Sequence, residues 1–280
     1  MKRMKKTTFL TIGMISCLSF FSVQDMQAQL WKKIKSKVEK KVEDKADEIL
    51  NGKNTSYGAT TSESNDKGGV PYIEEVFSFI PGKKVAFEDN FEGERQGLMP
   101  SNWKSSGNGS VVTIDGLEGN WLKMEPNSTY KLDSLMVLPQ NFTIEFDIVT
   151  RSDVASDMGE MSFGFARDNS VRRSITDGVN NGSVTSTRLH FWNQDITHSS
   201  SDTDKYNTLD FPLAKYSNAV IHVSIAVEGE QMRIYLDKSK LLDTQMFLKN
   251  TPKYFYITAP YDYKKGAKAF FGNFRISENE

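Results

Sequence analysis

Between Phe142 and Val149 apolar and polar residues alternate. Phe142, Ile144, Phe146 and Ile148 fall on one side of the chain, and Thr143, Glu145, Asp147 and Val149 on the other. Successive side chains of a strand point to opposite faces, so this stretch predicts a strand with one face turned to a core. Shorter runs repeat the pattern at Val85–Phe87, Val111–Ile114, Trp121–Met124, Met161–Phe165, Arg188–Trp192, Val220–Val227, Met232–Leu236, Tyr254–Thr258 and Phe270–Ile276. Gly, Asn, Asp and Pro punctuate them, as in all-β chains. About ten strands with no amphipathic helix between them predict two packed antiparallel sheets over residues 76–280, arranged as a jelly roll.

The pattern changes period near the start of the chain. Trp31, Ile34, Val38, Val42, Ala46 and Ile49 recur at helical spacing, so residues 29–50 are expected to form one amphipathic helix. Lysines come first along it and acidic residues later, against the preference of the helix dipole. Its apolar stripe therefore needs a surface, which could be the sandwich, a second copy of the chain or an anionic membrane met by the lysine-rich half of residues 30–50. Residues 51–75, rich in Gly, Ser, Thr and Asn, read as a flexible linker.

Ahead of the helix, Lys2, Arg3, Lys5 and Lys6 precede the apolar run Phe9 to Val23, and Ala28 offers a small residue at a cleavage point. The run is shorter than the roughly 20 residues a spanning helix needs. Residues 1–28 are thus expected to be a secretory signal, placing the protein in the periplasm, at the outer membrane or on the cell surface. Cys17, the only cysteine, would be lost with the signal unless it serves as a lipoprotein acylation site. The whole-chain net charge is −1, and removing four basic residues and Asp25 leaves the remainder mildly acidic. Nucleic acid is therefore not an expected partner.

Phe79-Ile80-Pro81-Gly82-Lys83-Lys84-Val85-Ala86-Phe87-Glu88-Asp89-Asn90-Phe91, Leu98 to Trp103 and Leu138 to Asp147 resemble the N-terminal region of OmpA-family proteins from Bacteroidetes. Phe271-Gly272-Asn273-Phe274-Arg275-Ile276 is similar to the closing strand of concanavalin-like (laminin-G-like) modules in the same group. The resemblance implies a concanavalin-like sandwich in the cell envelope. It does not extend to the peptidoglycan-binding domain that follows in those relatives, so peptidoglycan anchoring is not carried over.

Chemistry is sparse. No Gly-x-Ser-x-Gly elbow, phosphate-binding glycine loop or zinc-ligand spacing occurs. Glu145 and Asp147 resemble two of the three alternating carboxylates of laminarinase-type hydrolases, but the third position is Val149, which can be neither acid nor base. His190 and Trp192 are expected to share the polar face of one strand, with Asn193 beside them, giving a ring on which a sugar could stack. Glu145, Asp147, His190, Trp192, Asn193 and Tyr235 are therefore the expected ligand-binding residues on one polar sheet face. Asp89 and Asn90 are candidate ligands for a structural calcium ion, the only cofactor considered. The leading expectation is a non-enzymatic, lectin-like module that meets a glycan or an envelope protein. A degenerate hydrolase or lyase and a structural spacer are the alternatives.

Overall fold

The computed structural model describes residues 77–136, 138–171 and 183–279. The expected signal (1–28), helix (29–50) and linker (51–75), with Cys17, lie outside the described residues. The strands are β1 (Lys84–Asp89), β2 (Trp103–Ser105), β3 (Gly109–Val112), β4 (Trp121–Met124), β5 (Thr129–Leu132), β6 (Asn141–Arg151), β7 (Glu160–Ala166), β8 (Ser183–His190), β9 (Asp195–Ser200), β10 (Lys205–Asp210), β11 (Val220–Glu228), β12 (Gln231–Leu236), β13 (Ser239–Gln245), β14 (Tyr254–Thr258) and β15 (Lys268–Glu278). They form two antiparallel sheets. One runs β13-β12-β11-β6-β15-β4-β3, with β1 also pairing β15, and the other runs β10-β9-β8-β7-β14-β5-β2.

The alternation of β6 sets the core. Phe142, Ile144, Phe146 and Ile148 are fully buried and face the second sheet. Phe146 meets Phe163 edge-on at 5.3 Å and Phe255 at 5.4 Å, so the central strands of both sheets are joined by aromatic pairs. Such pairs add about 0.5–1.5 kcal/mol each beyond the area they bury. Trp103 extends the cluster to Phe271 and Phe274, at 4.9 and 5.1 Å.

Phe271 and Phe274 both reach the core because β15 carries a bulge. The register with β6 slips between Gly272 and Arg275, and Asn273 takes a left-handed backbone with φ of 52°. Gly272 faces the other way, against Trp121, where a Cβ would lie 2.8 Å from the indole ring. The outer face of the eight-stranded sheet is accordingly covered near Trp121, which packs with Ile114, Val149 and Phe270. At another point Phe79 packs on Ala226 and Tyr235. Only part of that face is polar and open.

Ten strands are found near their expected positions, and β2, β5, β9, β10 and β13 are additional. The expected Arg188–Trp192 strand starts earlier and ends at His190.

Candidate functional site

The six expected ligand-binding residues do not share a face. Glu145, Asp147 and Tyr235 lie on β6 and β12 of the eight-stranded sheet, whereas His190 lies on β8 of the other. Tyr235 is fully buried, with the rings of Phe77 and Phe79 at 5.4 and 5.9 Å and its hydroxyl 3.0 Å from Ser78 Oγ. Glu145 and Asp147 bracket His222, whose Nδ1 is 2.7 Å from Asp147 Oδ1 and whose Nε2 is 3.7 Å from Glu145 Oε1. The second oxygen of Asp147 accepts from Asn273 Nδ2 at 2.7 Å. Burial pulls the His222 pKa down, but hydrogen bonds and charge from Asp147 and Glu145 override it and hold the ring up to about 10. Glu145 and Asp147, expected as ligand-binding residues, are thus the anionic frame of an imidazolium.

Asp89 and Asn90 are also engaged by the protein itself. Asp89 accepts from Phe91 N at 2.9 Å, Trp103 Nε1 at 3.0 Å and Asn102 Nδ2 at 3.2 Å. Asn90 Oδ1 accepts from Glu92 N at 2.9 Å. The carboxylate locks a turn and the indole of a core tryptophan. Among the described residues no group of three or more His, Cys, Asp or Glu side chains is placed to hold a metal ion.

Trp192 stands elsewhere than expected and is more accessible. It belongs to the turn between β8 and β9, not to a strand face. Phe191 is fully buried and its N–H donates to Gly159 O at 3.1 Å, while Gln194, with φ of 61°, closes the turn through its N–H to His190 O at 2.9 Å. Pinned on both sides, the intervening Trp192 is turned outward and is 56% exposed. A free-standing indole is uncommon on a protein surface. Asn193 beside it is exposed on the same turn.

Trp192 lines a cleft of about 460 Å³ together with Tyr261, which is 81% exposed. Glu160, Ser162 and Thr258 reach it from β7 and β14, alternating with the core residues Met161, Phe163 and Ile257. Ser156, Asp157, Asp262 and Lys264 come from loops. These loops are tied together: Lys264 N donates to Asp157 O at 3.0 Å and Asn127 N to Pro260 O at 2.7 Å. Gly159, with φ of 70°, brings the chain so close to the Asp262 carbonyl that a Cβ would sit 3.2 Å from it.

His190 supports this cleft from behind. Its ring meets Trp192 edge-on at 6.1 Å, and its Nδ1 is 3.2 Å from Glu160 Oε2. Arg188 NH1 is 3.5 Å from the other carboxylate oxygen. Burial alone would raise the Glu160 pKa, but His190 and Arg188 bring it below the ordinary carboxylate value, so Glu160 is an acceptor at neutral pH. The cleft combines two exposed rings with fixed acceptors and hydroxyls, the chemistry needed to stack a sugar ring and bind its hydroxyl groups.

Comparison with solved structures finds a likeness of fold. The carbohydrate recognition domain of Emp47p matches over 69% of this chain and 94% of its own length, at 14% identity and a TM-score of 0.50. The likeness is one of fold. It fits the expected concanavalin-like sandwich. A carbohydrate-binding module, CBM66 from Bacillus subtilis, matches at 15% identity over 63% of this chain and 96% of its own, with a TM-score of 0.42. A receptor-binding domain of botulinum neurotoxin mosaic serotype C/D matches at 14% identity and a TM-score of 0.43 over 64% of this chain, which spans only 43% of that one. These two weaker matches add nothing to the assignment of fold. No family model matches the chain and no curated protein sequence does, so the resemblance to the OmpA family finds no counterpart there.

Tyr261, Asp157, Glu160 and Asp262 were not among the expected site residues. Tyr261 lies in Pro260-Tyr261-Asp262-Tyr263-Lys264-Lys265-Gly266, where an aromatic between turn-forming residues is the one signal that could have marked it. Asp157 lies within a short 3-10 turn, Ala155–Met158, and Glu160 opens β7 just after it, and nothing in their spacing distinguishes them from solvated polar residues.

Proposed function

We propose that the sandwich is a non-enzymatic glycan-binding module of an exported cell-envelope protein, taking a sugar ring in the cleft lined by Trp192 and Tyr261. The observation that carries this reading is the pair of exposed aromatic rings on one polar cleft. The C–H face of a pyranose packs on such a ring, while Glu160, Asp157 and Asp262 offer partners for its hydroxyls. The fold shared with a protein named as a carbohydrate recognition domain supports the same class of ligand. The export signal read at residues 1–28 supports the compartment.

A glycan array probed with the wild-type chain, Trp192→Ala and Tyr261→Ala tests the reading. Glycan signals that disappear in both variants are the expected outcome. Signals indifferent to both substitutions, or no signal from the wild type, would remove it.

A further inference from the structure

The cleft does not end at Asn127 and Ser128. The same two residues line a second, more open hollow of about 1030 Å³, formed with Ser105, Ser106, Ser110 and Glu125. The two depressions therefore share a saddle, which is held firmly. Asn127, in a left-handed backbone with φ of 54°, donates its N–H to Pro260 O at 2.7 Å, and Ser128 O accepts from Ala259 N at 2.9 Å.

A row of hydroxyls crosses beneath this saddle. Ser106 and Thr129 are joined by Ser106 N to Thr129 O at 3.0 Å and Thr129 N to Ser106 Oγ at 2.9 Å. Thr129 pairs Thr258 across β5 and β14, and Thr258 pairs Ser162 across β14 and β7. Three strand spacings of about 4.8 Å make the row roughly 14 Å long, more than one sugar ring needs. Thr129 is fully buried and Ser162 and Thr258 nearly so, which makes the row the floor under both depressions and not a set of ligand contacts.

Charge narrows the ligand further. Of the carboxylates that line the two depressions, Glu160 is paired with Arg188, Asp157 with Lys265 and Glu125 with Lys123, and Asp262 lines the first cleft together with Lys264. The lining is thus close to neutral, with no excess of positive charge to draw carboxylate or sulfate groups, which suits an uncharged ligand.

We propose that the site takes a linear, uncharged oligosaccharide. One end lies at Trp192 and Tyr261, and the chain passes over the Asn127–Ser128 saddle into the second hollow. This rests on the glycan-binding reading above and adds to it chain length and charge class.

Calorimetric titration of the full chain tests it, using neutral glucose, mannose and galactose oligomers of one to six units and oligogalacturonides as charged counterparts. Affinity is expected to rise at least tenfold from monosaccharide to tetrasaccharide for the preferred sugar and then level off, with oligogalacturonides at least tenfold weaker. Ser110→Met narrows the second hollow from an edge strand. It should remove most of the length gain and leave monosaccharide binding unchanged. Asn108→Met, at an exposed position of the same hollow, serves if the first variant does not fold. Binding that depends on Trp192 but is flat with length, or equal for charged oligomers, overturns the extended site and leaves the glycan-binding reading standing. No binding to any neutral oligomer overturns both.

Discussion

His222 Nδ1 lies 2.7 Å from Asp147 Oδ1, on the outer face of the eight-stranded sheet, with Asn273 Nδ2 completing the carboxylate from the other side at 2.7 Å. Asp147 is therefore a fixed counter-ion, and its two oxygens are already committed. The backbone agrees with the side chains: His222 N donates to Asp237 Oδ1 at 3.1 Å, and Tyr216 OH donates to the other Asp237 oxygen at 2.7 Å.

The pH dependence of this pair has a definite sign. The folded pKa of His222 is raised to about 10, above the roughly 6.5 of an unfolded histidine. Its stabilisation is thus fully present below about 6.5 and is lost as pH rises through about 10. Asp147→Asn should destabilise by about 1.5–3 kcal/mol at pH 6, the range for hydrogen bonds to charged groups, and by much less at pH 10.5. Urea unfolding of both proteins at the two pH values checks this, and an equal loss at both would contradict it.

His198 should show the opposite slope. It lies on β9, faces the core beside Thr187 Oγ1 at 3.0 Å, and is 1% exposed, so burial lowers its pKa to about 4. A folded pKa below the unfolded value means stability that is present above about 6.5 and lost as pH falls toward 4, in all about 3 kcal/mol. His198→Gln should flatten the stability profile between pH 7 and 4.5 in chemical denaturation. A variant that keeps the wild-type acid slope would refute the assignment.

Asp89 carries a structural load. Asp89→Ala leaves the buried Trp103 indole N–H and the Phe91 N–H without their acceptor, at about 1–3 kcal/mol for each group left unsatisfied. The thermal midpoint should fall by the same amount in calcium and in chelator. A loss confined to calcium-containing buffer would instead make the carboxylate an ion ligand.

The sequence made the strongly alternating strands readable and left the rest obscure for identifiable reasons. β4 and β14 begin and end where the apolar pattern does, and the in-and-out assignment of Phe142 to Ile148 holds, because burial of one face imposes a period of two. β9 and β10 read Asp-Ile-Thr-His-Ser-Ser and Lys-Tyr-Asn-Thr-Leu-Asp. Their Ser, Thr, Asn and Asp resemble loop residues, and it is pairing with β8 on one side and with β10 on the other that makes a strand of β9. On the polar side of β6, Thr143 and Val149 are buried, since covering segments on that sheet leave no local trace in the strand. Trp192 stood out in the sequence as a large aromatic among polar residues, and it is exposed. Its position depends on Phe191 being the buried anchor of a turn, which alternation alone cannot distinguish from one more strand residue.

Trp192 also reports on the central claim. Among the described tryptophans, Trp103 and Trp121 are 3% and 4% exposed, so a ligand in the cleft changes the surroundings of Trp192 first. Tryptophan emission should be followed while the full chain and Trp192→Phe are titrated with the neutral oligosaccharide that gives the strongest array signal, with calorimetry in parallel. The expected result is a saturable blue shift in the wild type that matches the calorimetric isotherm and is absent from the variant. Calorimetric binding with unchanged emission, or the same shift in Trp192→Phe, would contradict a glycan site at Trp192 and Tyr261.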